Sequence, residues 1–467
     1  MKKESKELNP VTENALLAAL PSLQDEQTTE EVMELLEKEK GRAKGTVTNA
    51  VTILSYDPLL KDGFWFNELT QRIHVLKEMG WPRTNTGESF CDNDLYNAHL
   101  YSCRVYGNFS VKIIEEAIKI VANRHSYHPI RDFLNSLEWD GVERIRYALH
   151  HFLGGEQSDY SGEIMRFVMM GAISRVFKPG VKFDYMLCLV GEQAVGKSSF
   201  CRLLAVNDDW FTDDLRDLEK KPYEKLEGHW FIELSEMLAT TNAKSNEAVK
   251  SFLTRQRETY RTPYEKYPRD RSRQCIFIGT TNKMAFLPND RSGNRRFLPI
   301  QCVKADQEVF ILDDEKASRE YIKQMWAEAM VEYRKGKVSL KLSEKLQKEV
   351  LIQQEDFSQE DVDAGMILAY MQDYTGDKVC TKQLFKEALG NETVNPQRWQ
   401  TNEINEIMNQ LIRDGRLTGW RYFKNPKRFG GEYGKQKGWE RLKNVNEDAS
   451  TDDDFMKVPD DFVSPFE

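Results

Sequence analysis

Residues 182–198 read KFDYMLCLVGEQAVGKS, an apolar run that ends in Gly191 and is followed by Gly196, Lys197 and Ser198 in the spacing G-x-x-x-x-G-K-S. Leu187 to Val190 is too short for a helix and reads as a buried strand, and Lys197 to Ala205 reads as the helix it feeds. Strand, glycine loop and helix in this order make a phosphate-binding loop. Glycine tolerates positive φ and lets the backbone approach phosphate oxygens, so several N–H groups point at one anion. Lys197 adds a mobile charge near the β and γ phosphates. Ser198, at a helix start whose dipole favours anions, offers a hydroxyl to Mg²⁺. Gly191, Gln193, Gly196, Lys197, Ser198 and Ser199 are therefore expected to bind ATP together with Mg²⁺.

Two later apolar runs end in polar residues of the kind such a loop needs. His229 to Leu234 is a second strand that delivers Glu233, with Glu236 three residues on. One acid there can hold the Mg²⁺ water shell and another can polarise the attacking water. Cys275 to Gly279 is a third strand, running into Thr280, Thr281 and Asn282. An amide at that place orients the water or senses the γ phosphate. Beyond it, DRSGNRRF places Arg295 and Arg296 side by side. In a ring-shaped NTPase such a pair reaches the γ phosphate of the neighbouring subunit and offsets its developing charge.

Between the second and third strands, residues 244–273 hold nine bases against four acids, with Tyr260, Tyr264 and Tyr267 interleaved. Cations that meet phosphates and rings that stack on unpaired bases are what single-strand binding requires. Lys250, Arg255, Arg261, Tyr264 and Lys266 are the candidate DNA contacts; a solvated basic loop is the plainer alternative.

Charge is unevenly distributed. The chain of 467 residues has a net charge of −9. From Asn444 to Glu467 eight acids face one base, −7 in all, so the other 443 residues carry −2. The overall acidity therefore does not exclude nucleic acid as a partner. The tail, with Phe455, Phe462 and Phe466 spaced along it, reads as disordered and resembles the tail tip of single-stranded DNA-binding proteins; a replication partner could be recruited there. No apolar run approaches the length of a membrane helix, and the N-terminus lacks a signal-peptide core, so a cytoplasmic protein is expected. Seven scattered cysteines without a C-x-x-C, and a His125/His128 pair without nearby ligands, point to neither zinc nor disulfides.

The length implies about three compact units. Residues 1–48 read as a mobile arm with a short helix at Glu30 to Lys40, and 49–160 as an α-rich collar or oligomerisation domain. Within the latter, Phe64/Phe66 and Ile73/Val75 form a hairpin, and Asp92 and Ser110 cap helices. Residues 161–335 would be the motor. Residues 336–443 end in two helices and a Gly-rich basic hairpin with Trp420 and Trp439, the pattern of a winged helix able to touch duplex DNA. Residues 444–467 are the acidic tail.

Seven motifs stand in order along the chain: HP-x-R-D-x-L-x-x-L-x-W-D-G (His128 to Gly141), PG-x-KFD (Pro179 to Asp184), G-x-Q-x-x-GKS (Gly191 to Ser198), IEL-x-E (Ile232 to Glu236), YR-x-PY (Tyr260 to Tyr264), RQC-x-F-x-GTTN (Arg273 to Asn282) and GNRRF (Gly293 to Phe297). Together they resemble the virulence-associated protein E family of phages, plasmids and pathogenicity islands, over about residues 49 to 420. The resemblance implies an α/β fold with a P-loop ATPase core similar to superfamily 3 helicases, within the AAA+ class, assembling as a ring on DNA. By that similarity Lys197 and Ser198 belong to Walker A, Glu233 and Glu236 to Walker B, and Asn282 to the sensor; Arg295 or Arg296 is the finger supplied in trans. Two departures stand out. Ala194 replaces a frequent glycine, which is tolerable where its φ is negative. Glu233 and Glu236 are separated by two residues where related motors usually have neighbouring acids, which leaves open which of them is the base.

The function expected is an ATP-dependent DNA helicase or replication initiator of a mobile element, a ring, expected to be a hexamer, that pulls single-stranded DNA through its centre. The rival is an ATP-switched helicase loader or origin-binding factor that unwinds nothing. An attached primase is a third option, but 48 polar residues cannot house a polymerase core.

Overall fold

The structure, a computed structural model, describes residues 28–83, 87–215, 225–235, 243–260, 268–287, 294–358, 361–391 and 393–442. Its centre is a five-stranded sheet of β1 (Met186–Gly191), β2 (Phe211–Thr212), β3 (Phe231–Ser235), β4 (Ile276–Thr281) and β5 (Phe297–Cys302). The spatial order is β5-β1-β4-β3-β2, and every pairing is parallel. A parallel sheet has to be covered on both faces, which is why its strands read as unbroken apolar runs; all six residues of β1 are buried. The strand period of two sorts them. Leu187 and Leu189 enter the core of one face, with Ile278, Leu298 and Ile300. Met186, Cys188 and Val190 enter the core of the other, with Ile232, Leu234 and Phe277.

Five helices flank this sheet: α1 (Asp159–Phe177), α2 (Lys197–Leu204), α3 (Ala243–Thr254), α4 (Glu315–Arg334) and α5 (Glu344–Asp356). On the first face Trp326 of α4 packs on Trp230 at 4.4 Å between centroids. Its Nε1 donates to the carbonyl of Leu204, so the end of the loop-bearing helix is fixed by a buried hydrogen bond.

The segment before the sheet departs from the expected divisions. Helices Val47–Tyr56, Asp92–Val105 and Val111–Arg124 pack with the hairpin Phe64–Asn67/Arg72–Val75. Val32 and Leu36 are buried in the same core, so residues from 28 onward belong to it and are no mobile arm; residues 1–27 lie outside the described residues. Ser110 caps as its sequence implies, but Asp92 opens its helix instead of capping it. Cys91 is the N-cap, with Asp94 accepting its backbone N–H. A boundary at 160/161 would cut α1 in two. From Ile130 onward the chain already packs into the sheet's own core.

The first compact unit runs to Gln359, not to 335, because α5 lies against β5 and its Gln354 donates to the Phe297 carbonyl. The second unit holds, in order, helix Val362–Asp373, strand Lys378–Cys380, helical turns over Thr381–Ala388, helix Arg398–Arg413 and strands Trp420–Arg428 and Lys435–Arg441. Trp420 and Trp439 are buried against Ile404, Met408 and Leu411. The acidic tail lies outside the described residues. Among the described residues no helix is long and apolar enough to cross a membrane.

Candidate active site

The loop between β1 and α2 is built by close approach. A Cβ on Gly191 would stand 2.1 Å from the carbonyl oxygen of Cys302 on β5, so only glycine fits beside that strand. Gly196, at the N-cap of α2, has φ +91°. Ala194 has φ +65°, so the condition of a negative angle, under which alanine would be tolerated here, is not met. An alanine in the left-handed region carries about 1–2 kcal/mol of strain. Gln307, which no sequence signal marks, holds the loop from outside; its Nε2 donates to the carbonyls of Val195 and Phe152, both at 2.7 Å.

Four of the expected site residues meet at the carboxyl end of the sheet. Lys197 Nζ donates to the carbonyls of Gly191 at 2.7 Å and Glu192 at 2.6 Å, and to Asn282 Oδ1 at 3.1 Å. All three ammonium protons thus have acceptors, and burial lowers the pKa of Lys197 below the usual lysine value. Ser198 Oγ donates to Glu233 Oε1 at 2.7 Å. Thr280 Oγ1 donates to the same oxygen, a positioning role that the sequence reading, which took Thr280 only as a strand end, did not assign. Gln193, Gly196, Ser199, Ser235 and Thr281 join them around a cavity of 320 Å³.

The residues fit a nucleotide-borne divalent cation. Glu233 is 1% exposed; its Oε1 accepts from the Ser198 hydroxyl, and its Oε2 is buried without a hydrogen-bond partner in the described structure. A buried, half-satisfied carboxylate calls for a cation. No cluster of three or more His, Cys, Asp or Glu side chains able to hold a metal exists among the described residues; one carboxylate beside a hydroxyl suits a cation such as Mg²⁺ that keeps most of its ligands as water or phosphate oxygens. Glu236 lies outside the described residues.

Arg295 and Arg296 are not at this cavity. They precede Phe297, which pairs with Met186, whereas the loop begins at Gly191, opposite Cys302. Five strand steps separate the two places, roughly 17 Å. Neither arginine can act on a nucleotide bound by its own copy.

The expected DNA-binding stretch is corrected in part. Strands Arg257–Tyr260 and Arg269–Ser272 form an antiparallel hairpin, but its tip, with Arg261, Tyr264 and Lys266, lies outside the described residues. Lys250 is 4% exposed on α3, inside the fold and not on a binding surface. Arg255 lies 3.6 Å from Glu258 and over the Phe252 ring. Glu258 also takes Arg273, and Glu227 takes Arg271 and the Tyr260 hydroxyl. Arg271 and Arg273 are thus paired inside the fold, whereas Arg255 and Arg257 stay largely exposed beside their acids.

Residues 134–359 match the family model described as the virulence-associated protein E-like domain. Among solved structures, the apo structure of the NrS-1 C-terminal region (305–718) is 15% identical, with a TM-score of 0.41 over 81% of this chain and 96% of that one. An A-form apo structure of the same region is 14% identical, with the same TM-score and coverage. No curated protein matches the sequence significantly.

Proposed function

From the premise that residues 134–359 are a virulence-associated protein E-like domain, we propose that the chain is an ATPase that moves single-stranded DNA through a ring of its own copies, as a helicase or initiator in the replication of a mobile element. The observation that carries this reading is that Lys197, Ser198 and Asn282 line one cavity while the buried Glu233 accepts from Ser198, residues brought together from three strand ends far apart in sequence. The sheet order β5-β1-β4-β3-β2, with the phosphate loop after its first strand, is that of an AAA+ core similar to superfamily 3 helicases and supports the same reading.

In this reading the β and γ phosphates displace the Gly191 and Glu192 carbonyls as acceptors of Lys197, which stays hydrogen-bonded to Asn282. Asn282 then stands beside the γ phosphate, where it can orient the attacking water. Ser198 Oγ and Glu233 Oε2 would hold Mg²⁺, which supplies charge neutralisation at the β and γ oxygens. Glu236 remains the second candidate for the base. One of the two arginines, out of reach in its own copy, serves a neighbour, and that requirement calls for an assembly of copies. The element order of the second unit, helix, strand, helical turns, helix and hairpin, supports reading it as a winged helix. Its hairpin bears Lys424, Arg428, Lys435 and Lys437 for duplex contact, while Arg421 and Lys427 face Glu440.

The test is unwinding of a forked duplex with ATP and Mg²⁺. Lys197→Ala is expected to abolish unwinding and hydrolysis while leaving the melting temperature unchanged; unwinding by that variant would refute the motor. Arg261→Ala at the hairpin tip should weaken single-strand binding and lower the salt slope by about one. Lys250→Ala should reduce stability and leave the slope alone. ATP-dependent DNA binding without any unwinding would instead make the chain a loader.

A further inference from the structure

The two adjacent arginines have different surroundings. The Arg296 side chain is 17% exposed, and its Nε lies 3.4 Å from Oδ2 of Asp184, an ion-pair distance without hydrogen-bond alignment. Asp184 closes the motif PG-x-KFD just before β1, and its own side chain is 13% exposed. The backbone that carries it is fixed from beneath, since the buried Arg175 donates from Nη2 to the Phe183 carbonyl at 2.8 Å. From the other side, the buried Gln354 of α5 donates from Nε2 to the carbonyls of Asn294 at 2.8 Å and Phe297 at 2.6 Å, which bracket the arginine pair. Arg296 thus stands on a rigid pedestal. Arg295 is exposed. With Lys178, Lys182 and Lys341 it lines a cavity of 820 Å³ in which Asp184 is the acid.

We propose that Arg295 alone enters the phosphate site of the neighbouring copy, and that Arg296, held by Asp184, is a positioning residue that sets the direction in which Arg295 leaves the sheet. The proposal rests on the shared-site reading above and assigns the arm within it. An arginine that reaches into another copy has to leave its own surroundings. For Arg296 that means stripping a half-buried carboxylate of its counter-charge, which is destabilising. Arg295 is exposed and shares its cavity with three lysines and one acid, so extension breaks no ion pair recorded for it, and an arriving triphosphate offers it a counter-charge. The motif PG-x-KFD thereby gains a role that its place beside the phosphate loop in sequence does not give it, because Asp184 lies at the opposite end of β1.

The experiment uses the full chain assembled on DNA. Arg295→Lys should lower kcat for ATP about 10³-fold with KM within about threefold, because lysine cannot present a planar fork to the γ phosphate. Arg296→Lys keeps a cation opposite Asp184 and should stay within about threefold of the parent in both constants. Asp184→Asn should lower kcat about tenfold in the parent and add nothing in the Arg295→Lys background, the non-additivity of a residue that acts through another. Melting temperatures guard against loss of fold, and the two lysine variants decide the matter even where Asp184→Asn unfolds. Arg296→Lys losing as much as Arg295→Lys, or Asp184→Asn adding its full effect to Arg295→Lys, would overturn the division of roles. Wild-type hydrolysis by the assembled Arg295→Ala/Arg296→Ala double variant would show instead that the shared site itself is wrong.

Discussion

The two ends of the central sheet are built on different principles. At the carboxyl end Lys197, Asn282, Ser198, Thr280 and Glu233 hold one another through neutral or charge-assisted hydrogen bonds, and one buried oxygen, Glu233 Oε2, is left over. At the amino end the fold is fastened by charge pairs between distant segments: Glu68 with Arg131, Glu258 with Arg273, Glu227 with Arg271, and Asp184 with Arg296. There an exposed cation, Arg295, is left over. One end keeps a buried carboxylate oxygen without a hydrogen-bond partner and the other an exposed cation, which is the contrast that the proposed sharing of a site between copies would use.

The comparison breaks most directly at Glu233. Glu233→Gln keeps an acceptor for Ser198 and Thr280 but removes the negative charge, and should lower kcat about 10²- to 10³-fold, an effect of the size seen for one preorganised electrostatic group. Nucleotide binding by the loop should survive, as measured by a fluorescent ATP analogue. An unchanged kcat would mean that the leftover oxygen is structural and that the two ends do not differ in kind.

At the amino end the corresponding lever is pH. His128 Nδ1 accepts the Arg131 N–H, and its Nε2 meets Gln274 Oε1 at 2.5 Å, joining the helix Pro129–Asn135 to the approach to β4. Burial pushes its pKa down from 6.5 to about 4. The folded state therefore binds fewer protons than the unfolded chain between those values. Its stability contribution is complete above pH 6.5 and is lost as pH falls towards 4, by up to about 3 kcal/mol. His128→Gln, which cannot be protonated, should flatten that part of the profile in denaturant unfolding at pH 7 and pH 4.5. An identical pH dependence in the two proteins would place the acid sensitivity elsewhere.

A smaller effect sharpens the carboxyl end. Thr280→Val is close in shape but removes one of the two donors that orient Glu233, and should cost about tenfold in kcat at limiting Mg²⁺, recovering as Mg²⁺ is raised. A loss that Mg²⁺ does not relieve would indicate that Thr280 serves packing alone.

These differences also decide what the sequence could reveal. The phosphate loop, Glu233 and Asn282 were legible because their spacing to a strand end fixes their place at the sheet's carboxyl edge, whatever the rest of the chain does. The charges at the amino end were not. Arg271 and Glu227 are 44 residues apart and Arg131 and Glu68 are 63 apart, so a count of bases over residues 244–273 could not tell which were already paired. Lys250 shows the same limit, since a lysine in a basic stretch reads as a phosphate contact while its helix turns it into the fold. The boundary placed at 160/161 failed because α1 is apolar nearly all round and packs into the sheet's core along its length. The boundary placed at 335/336 failed because the anchoring by Gln354 has no local signature.

The smallest prediction concerns the loop itself. Ala194 sits at φ +65°, where a Cβ is strained by about 1–2 kcal/mol, and glycine would remove that strain. Glycine also loosens the unfolded chain, which offsets about 0.4–1 kcal/mol of the gain. Ala194→Gly should therefore raise stability by no more than about 1.6 kcal/mol. Without nucleotide a slight rise in melting temperature is expected, and with ATP and Mg²⁺ the rise should be the same if the loop is already in its binding shape. A larger rise with nucleotide would show that the loop has to move to receive it. A fall without nucleotide would show that the free loop does not hold the left-handed angle, and that the carboxyl end is less preorganised than its hydrogen bonds imply.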